Sequence, residues 1–294
     1  MSTEPGCNSP RPAGGPGVTR FADRGGHRLS YESSGAPDGI PVLALHDLLA
    51  DRGQLRALSE SPYDALFRVT LPDARGHGAS PMLSGSGYPA RELAADVLTV
   101  LDAERLPAVH LVGLGWGAAT ALAVAVAAPE RVTSLVLAGP YLPSLVAGSP
   151  EAAAHQPASH HLDMMQEAAA LADKGQTDPA LDLFFGTRLG ADWRDRFSKP
   201  RLGAIRRAAG NLGPLLFGIV GDVIDPHALN NLDMPIALLV KDDAAVLERL
   251  TGETLASLMP HARMTTLPPV PNDPLTSGSE WTEAIVKVLL VRGA

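Results

Sequence analysis

The segment Val112-Gly113-Leu114-Gly115-Trp116-Gly117-Ala118-Ala119 decides the fold of this chain. It follows a short apolar run, Val109–Val112, whose composition predicts a buried strand. It opens into the apolar run Trp116–Ala128, which predicts a helix that stops before Pro129. Three glycines at alternate positions permit a tight turn between the two elements. The segment therefore predicts a turn at the carboxyl end of a strand, where open α/β sheets place their binding sites.

Strand and helix patterns alternate on both sides of this unit. Two short strands flank Gly25-Gly26 and predict a hairpin. The remaining apolar runs are separated by helical patterns, which predicts an α/β fold with a mostly parallel sheet and helices on both faces. The predicted strands are Thr19–Ala22, His27–Glu32, Pro41–Leu45, Leu66–Leu71, Val109–Val112, Ser134–Ala138, Pro235–Val240 and Met264–Leu267. The predicted helices are Arg52–Ser59, one that Pro89 opens, Trp116–Ala128, Val246–Leu258 and Trp281–Val291.

Composition divides the chain into three parts. Residues 1–17 are rich in proline and glycine and hold almost no large apolar side chains, which predicts a disordered tail. Residues 141–231 interrupt the alternation with helices and loops, which predicts a helical cap inserted over one edge of the sheet. Residues 18–140 and 232–294 then form the core that carries the sheet.

The glycine turn resembles the nucleophile elbow of the α/β-hydrolase superfamily, in which a serine stands between two glycines. The frame glycines, Gly113 and Gly117, are kept, but Gly115 replaces the serine and carries no nucleophile. A dinucleotide-binding turn is the rival interpretation, since such turns also place glycines between a strand and a helix. Its acidic residue at the end of the next strand is absent, because that strand ends in Gly139-Pro140.

A second segment, Leu71–Ser80, is similar to the P-D-x-R-G-H-G-x-S stretch that follows an early strand in the same family. The resemblance implies that this stretch braces loops near the site. His77 within it is therefore interpreted as a structural residue rather than a catalytic base.

The pair His46-Asp47 resembles the H-G pair that begins the oxyanion loop of the family. The resemblance implies that the backbone N–H groups of Leu48 and Trp116 are the oxyanion donors. Asp47 replaces the family's glycine, and three roles stay open for it. Its carboxylate can occupy the donors, act as a general base, or point to solvent.

The other two members of the family's triad match less well. The loop after the strand Pro235–Val240 resembles the one that carries the triad acid, which makes Asp243 the first candidate and Asp242 the second. Asn272 falls where the family places its histidine, and an amide cannot accept and return a proton near neutral pH. No histidine follows His261 in the chain.

Charge and composition exclude several classes of partner. The net charge is −8 and no block of lysines or arginines occurs, which disfavours nucleic-acid and membrane surfaces. Cys7 is the single cysteine, which excludes an intrachain disulfide and fits a reducing compartment. The longest apolar run falls well short of the ~20 residues of a membrane span, and no signal-peptide core is present. We expect a cytoplasmic protein with a small-molecule partner, and homodimer formation stays open.

No cofactor or metal is predicted. The cap pair His160-His161 with Asp163 offers metal-binding side chains, but neighbouring residues on a helix point about 100° apart and converge poorly on one ion. An aromatic side chain at the elbow, Trp116, favours flat or apolar ligands.

Loss of the serine and the histidine excludes the Ser–His mechanism and leaves three hypotheses. The first is a cofactor-independent, non-hydrolytic enzyme, since the superfamily includes lyases, cyclases, C–C bond-forming enzymes and oxygenases, some in bacterial natural-product biosynthesis. Its predicted catalytic and polar residues are His46, Asp47, Asp243 and Asn272, and its predicted substrate contacts are Leu48, Gly115, Trp116 and Asp242. The second is a ligand-binding pseudoenzyme. The third is an atypical ester or epoxide hydrolase with a water activated by Asp47.

Overall fold

The structure is a computed structural model and describes residues 17–82, 88–148, 152–221, 224–269 and 279–292. Its eight strands form one sheet in the order β1-β2-β4-β3-β5-β6-β7-β8. The strands are β1 (Thr19–Arg24), β2 (His27–Gly35), β3 (Ile40–Leu45), β4 (Phe67–Pro72), β5 (Val109–Leu114), β6 (Val132–Ala138), β7 (Ile236–Lys241) and β8 (Arg263–Leu267).

Within the described ranges, ten α-helices accompany the sheet. Their bounds are α1 (Ala90–Ala103), α2 (Gly117–Ala127), α3 (Pro143–Ala147), α4 (Ala152–Asp173), α5 (Thr177–Leu189), α6 (Lys199–Ala208), α7 (Leu212–Gly221), α8 (Pro226–Asn230), α9 (Val246–Leu258) and α10 (Glu280–Arg292). The predicted hairpin is confirmed, since β1 pairs antiparallel with β2. Strand β2 also pairs antiparallel with β4, and the pairs from β4 to β8 are parallel. The mostly parallel α/β sheet is thus confirmed.

Alternate side chains of the central strands fill two separate cores. Leu111 of β5 packs with Val97 and Leu101 of α1 on one face of the sheet. Its neighbour Val112 packs on the other face with Ile285 of α10. Burial on both faces explains why the central strands are apolar throughout rather than alternating with polar residues.

The predicted helix Arg52–Ser59 is present and is a 3₁₀-helix. Asp73 accepts the N–H of Arg52, and the Asp51 side chain accepts the N–H of Gly53. The Gln54 N–H then bonds to the carbonyl of Asp51, three residues back. These side-chain bonds at its start favour the tighter helix.

Helices α3 to α8 lie between β6 and β7, in the segment that the sequence assigns to a cap. Apolar side chains of α4 to α7 form a cluster that includes Phe184, Phe185 and Ile205 and also takes in Leu48 and Trp116 of the core. The cap segment therefore packs directly on the loops at the carboxyl ends of β3 and β5. The predicted tail of residues 1–17 lies outside the described residues, apart from Gly17. No helix in the described ranges combines the length and the apolar character needed to span a membrane.

Candidate functional site

The turn between β5 and α2 has the geometry of a sharp elbow. Gly115 has a φ of +58°, in the left-handed region that favours glycine. A Cβ on Gly113 would lie 2.7 Å from the carbonyl oxygen of Gly117. A Cβ on Gly117 would lie 2.5 Å from the carbonyl oxygen of Leu45. The two frame glycines are therefore required by the close approach of β3, β5 and α2.

The carboxylate of Asp47 fills the space above this elbow. Its Oδ1 accepts the N–H of Leu48 and the N–H of Trp116, both at 2.8 Å. A Cβ built on Gly115 would lie 2.3 Å from the same oxygen. The first of the three roles left open for Asp47 is present in the structure, and it does not exclude the role of general base. The side chain occupies both predicted oxyanion donors.

The loop that carries Asp47 is fixed by buried bonds. The Asp47 N–H donates to Oε1 of Gln54 at 2.8 Å. Leu49 has a φ of 55° and donates its N–H to Nε2 of His77 at 3.0 Å. The guanidinium of the buried Arg201, on α6, donates to the carbonyl of Leu49. Asp47 is thereby held by the core and the cap together.

The two histidines near the elbow are structural. In His46, Nδ1 bonds to the carbonyl of Asp47 at 2.8 Å, and Nε2 accepts the N–H of Ala74 at 3.0 Å. His77 uses its second nitrogen, Nδ1, on the carbonyl of Arg75 at 3.0 Å. Burial lowers the pKa of His46 and lowers that of His77 to about 3. His46, predicted as a catalytic or polar residue of the site, has both of its ring nitrogens bonded to backbone groups.

The segment Leu71–Ser80 braces the same loops. The carboxylate of Asp73 accepts the N–H of Arg52 at 2.8 Å and the N–H of Ala79 at 2.9 Å. Arg75 makes two buried bonds of 2.6 Å to the carboxylate of Asp96 on α1. These bonds fit the bracing role that the resemblance implies.

Arg188, near the end of α5, links the cap to Asp47. Its Nη1 lies 3.7 Å from Oδ2 of Asp47, and its guanidinium carbon lies 3.9 Å from the centre of the Tyr141 ring. Both the Arg188 and the Asp47 side chains are largely buried. A guanidinium that stacks on a ring and faces a carboxylate is attracted to both. The cap therefore supplies a positive charge above the elbow.

Tyr141 also bonds to a histidine of the cap. Its hydroxyl is hydrogen-bonded to Nε2 of His161, and the tautomer of the imidazole sets which of the two atoms donates. Burial raises the pKa of Tyr141 and lowers that of His161 to about 4. His160, the neighbour of His161, is exposed, so the pair does not converge on one point. In the described ranges, no group of three or more His, Cys, Asp or Glu side chains is arranged to hold a metal ion.

Glu248, in the first turn of α9, is the second carboxyl group at this site. Its side chain is only 7% exposed, and Oε1 has no hydrogen-bond partner among the described residues. Oε1 lies 3.2 Å from the Cβ position of Gly139, at the end of β6. Burial raises the pKa of this carboxyl. The charges of Lys241 and Arg188 lower it by less, and those of Asp47 and Asp243 add to the rise.

One cleft brings these groups together. It encloses about 510 Å³, including the part open to solvent. Its lining combines four charged side chains with an apolar and aromatic wall from the core and the cap. The lining residues are Asp47, Gln54, Leu114, Gly115, Gly139, Phe185, Arg188, Leu189, Phe197, Lys241, Glu248 and Trp281.

The remaining predicted site residues lie elsewhere. Asp242 and Asp243 are exposed on the turn after β7 and do not line the cleft, although Asp243 is close enough to act on Glu248 by its charge. Asn272 lies outside the described residues. The Trp116 side chain packs into the core–cap cluster rather than the cleft, so only its backbone N–H reaches the site.

Sequence reasoning missed Arg188, Glu248 and Lys241. Lys241 ends β7, and Glu248 lies one turn into the helix that follows. A charged residue at the end of a predicted buried strand was the available signal for Lys241. No such signal existed for Arg188, because the sequence does not determine which side of a cap helix packs against the sheet.

Comparison with known proteins agrees with this architecture. A family model described as the alpha/beta hydrolase fold matches residues 40–189. The putative carbamate hydrolase RutD of Variovorax paradoxus is 40% identical over 113 residues, which are 37% of this chain and 41% of that protein. The proline iminopeptidase of Neisseria gonorrhoeae is 34% identical over 117 residues, which are 40% of this chain and 37% of that protein. The matches thus span about two fifths of these relatives.

Solved structures match over nearly the whole chain. A thermophilic esterase from Thermogutta terrifontis superposes with a TM-score of 0.73 at 21% identity, over 95% of this chain and 99% of that one. An enol-lactonase from Burkholderia xenovorans LB400 superposes with a TM-score of 0.67 at 20% identity, over 92% of this chain and 100% of that one. At these identities the likeness concerns the fold.

Proposed function

Because this chain belongs to the α/β hydrolase fold family and has glycine in place of the elbow nucleophile, we propose that it is a non-hydrolytic, cofactor-independent enzyme. In this proposal it binds a small, largely apolar molecule in the cleft and uses Asp47 as a general base. The observation that carries the proposal is the position of the Asp47 carboxylate, which holds both oxyanion donors beside Gly115.

Acyl transfer needs a nucleophile at the elbow and free oxyanion donors, and neither is available at this site. A hydrolase of this family attacks with the elbow side chain and binds the developing oxyanion with two N–H groups. Here residue 115 has no side chain, and the N–H groups of Leu48 and Trp116 already bond to Asp47. A negative charge that develops on a substrate at this point would also be repelled by the carboxylate.

The same arrangement suits proton abstraction. Two N–H donors orient the Asp47 carboxylate, and Arg188 faces its other oxygen. Orienting bonds of this kind fix a base at one place, and a positioned base contributes about 10²–10⁴ to a proton-transfer rate. The aromatic wall of Phe185, Phe197 and Trp281 favours a flat apolar body for the ligand.

A test uses two chromogenic probes. Ring opening of 5-nitrobenzisoxazole requires only removal of a C–H proton by a base, and hydrolysis of p-nitrophenyl acetate requires attack on an ester carbonyl. We expect the protein to accelerate the first reaction and Asp47→Asn to reduce that acceleration at least about tenfold. Asp242→Asn is the matched control, because Asp242 is exposed outside the cleft and its loss leaves the rate unchanged.

Other outcomes separate the alternatives. Hydrolysis of p-nitrophenyl acetate or styrene oxide that Asp47→Asn abolishes would overturn the proposal in favour of an atypical hydrolase. Saturable binding of 5-nitrobenzisoxazole without ring opening would overturn it in favour of a ligand-binding pseudoenzyme. The observation that favours a pseudoenzyme is that Arg188 already faces the Asp47 carboxylate, which the proposal uses as the base.

A further inference from the structure

Glu248 is a buried carboxyl group that the proposed base does not use. Its Oε1 is sealed from solvent and has no hydrogen-bond partner among the residues that the structure describes. An unpaired buried polar atom destabilises the folded state, so its presence in a cleft points to a role in binding a ligand. An acidic residue in the first turn of a helix is favourable for the helix dipole, but that benefit needs no burial.

The position of Glu248 relates it to Asp47. Its Oε1 lies beside Gly139 at the end of β6, and Asp47 Oδ1 lies beside Gly115 just after β5. Strands β5 and β6 are hydrogen-bonded neighbours, and neighbouring strands lie about 4.8 Å apart. Both carboxyl groups line the same cleft. One of them accepts two backbone N–H bonds, and the other has an oxygen without any partner.

The charges around Glu248 come from three directions. Burial has the largest effect and raises its pKa, Lys241 of β7 and Arg188 of α5 lower it, and Asp47 and Asp243 raise it. Asp47 accepts two backbone N–H bonds and suits the base, whereas Glu248, with an oxygen that has no partner among the described residues, suits the acid. The protonated form of Glu248 is a hydrogen-bond donor, which the ionised form is not.

We propose that Glu248 is the acid partner of Asp47 and donates a hydrogen bond to the carbonyl oxygen of an enolisable ketone bound in the cleft. This inference rests on the proposed function and names its substrate class. The donors that the family uses for a carbonyl oxygen are occupied by Asp47, so the carboxyl of Glu248 takes over their task. The ketone carries a flat apolar body, which lies against Phe185, Phe197 and Trp281.

The step balances without a further reagent. Asp47 removes a proton from the carbon next to the carbonyl, and the electrons of that C–H bond form the C=C bond of the enol. The carbonyl oxygen receives the proton of the Glu248 carboxyl as its double bond to carbon becomes single. The Asp47 carboxyl then exchanges its proton with solvent and returns one to the carbon, and the O–H proton returns to Glu248, which restores both residues and leaves an exchanged ketone.

Exchange of 2-tetralone protons in D₂O tests the inference. Loss of the α-proton signals is followed by NMR for the full chain and three variants. Glu248→Met removes the donor and is expected to slow the protein-dependent exchange about tenfold or more. Glu248→Gln keeps an N–H donor and is expected to retain part of the rate. Glu253→Gln, on the exposed side of α9, leaves the rate unchanged.

The pH profile separates a donor from a merely structural residue. As pH rises through the raised pKa of Glu248, the donor is lost and wild-type exchange falls relative to the uncatalysed rate. Glu248→Gln has no such fall. A Glu248→Met rate equal to wild type, or a wild-type profile equal to that of Glu248→Gln, would overturn the inference.

The two proposals fail differently. If Asp47→Asn abolishes the ring opening of 5-nitrobenzisoxazole but Glu248→Met leaves 2-tetralone exchange unchanged, the acid role fails and the base stands. If Asp47→Asn changes neither reaction, the proposed function fails as well.

Discussion

Gly115 and Asp47 share one volume, since a Cβ on Gly115 would lie 2.3 Å from Oδ1 of Asp47. The carboxylate therefore fits only because the elbow residue has no side chain. In the family pattern the larger residue stands at the elbow and glycine in the oxyanion loop. This chain has the reverse, so the two departures from the pattern form a single structural change.

Gly115→Ser alone is expected to lower the free energy of unfolding by about 2–4 kcal/mol. The serine would clash with the Asp47 carboxylate, and it would place a non-glycine residue in the left-handed backbone conformation. The matched control is Gly175→Ser, with a φ of +73° and no atom within 4 Å of the added Cβ. That control carries only the backbone cost of about 1–2 kcal/mol. Urea denaturation measures both.

Asp47→Gly combined with Gly115→Ser should be less destabilising than the sum of the single changes by at least about 1 kcal/mol, since Asp47→Gly removes the carboxylate that the added serine would contact. The four proteins of this cycle are compared by urea denaturation. Strict additivity would contradict the shared volume of residues 47 and 115.

Arg188→Met is expected to lower the free energy of unfolding by about 1–2 kcal/mol, because it removes the stacking on Tyr141 and leaves Asp47 without its facing cation. The control Arg196→Met breaks an exposed pair with Asp192 and should change stability by less than about 0.5 kcal/mol. Equal effects of the two changes would show that Arg188 does not tie the cap to the elbow.

Stability should fall as pH falls from 6.5 to 4, because burial lowers the pKa of His161 from 6.5 to about 4. The folded state then binds fewer protons than the unfolded state in this window, so acid favours unfolding. His161 alone accounts for about 2 kcal/mol of loss by pH 5. Below pH 4 His161 no longer contributes to the change of the unfolding free energy with pH. Above pH 6.5 it is neutral in both states and causes no loss of stability.

His161→Gln is the variant for this measurement, since the amide oxygen can still accept the Tyr141 hydroxyl but does not titrate. Chemical denaturation at pH 7.5 and pH 5 should show a smaller difference for the variant than for wild type. His160→Gln, at an exposed neighbour, should keep the wild-type difference. An unchanged slope in His161→Gln would contradict the assignment.

Glu248→Gln is expected to be more stable than wild type at pH 8. Burial raises the pKa of Glu248 above 4.5, so the folded state binds the extra proton, and this group's stabilisation is lost as pH rises from 4.5 through the raised value. The advantage of the variant should shrink as pH falls towards 4.5. Thermal unfolding at both pH values measures it, with Glu253→Gln as the exposed control. A variant less stable than wild type at pH 8 would count against the raised pKa of Glu248.

The sequence alone determined the sheet, the elbow frame and the missing nucleophile. These features are local, because apolar periodicity and glycine spacing act within one strand–turn–helix unit. The frame glycines at 113 and 117 could be predicted for the same reason, since the tight strand–turn–helix geometry itself brings backbone atoms close to both positions. The bracing by Asp73 was also expected, from the resemblance of its segment.

Only the tertiary structure decided what fills the site. Asp47 reaches the N–H of Trp116 across 69 residues of sequence, and Arg188 approaches Asp47 from a cap helix. Glu248 joins them because α9 follows β7 on the same edge of the sheet. The chemistry of the cleft depends on where separate strand ends and cap side chains meet, and that is fixed by long-range packing and burial, which no local pattern encodes.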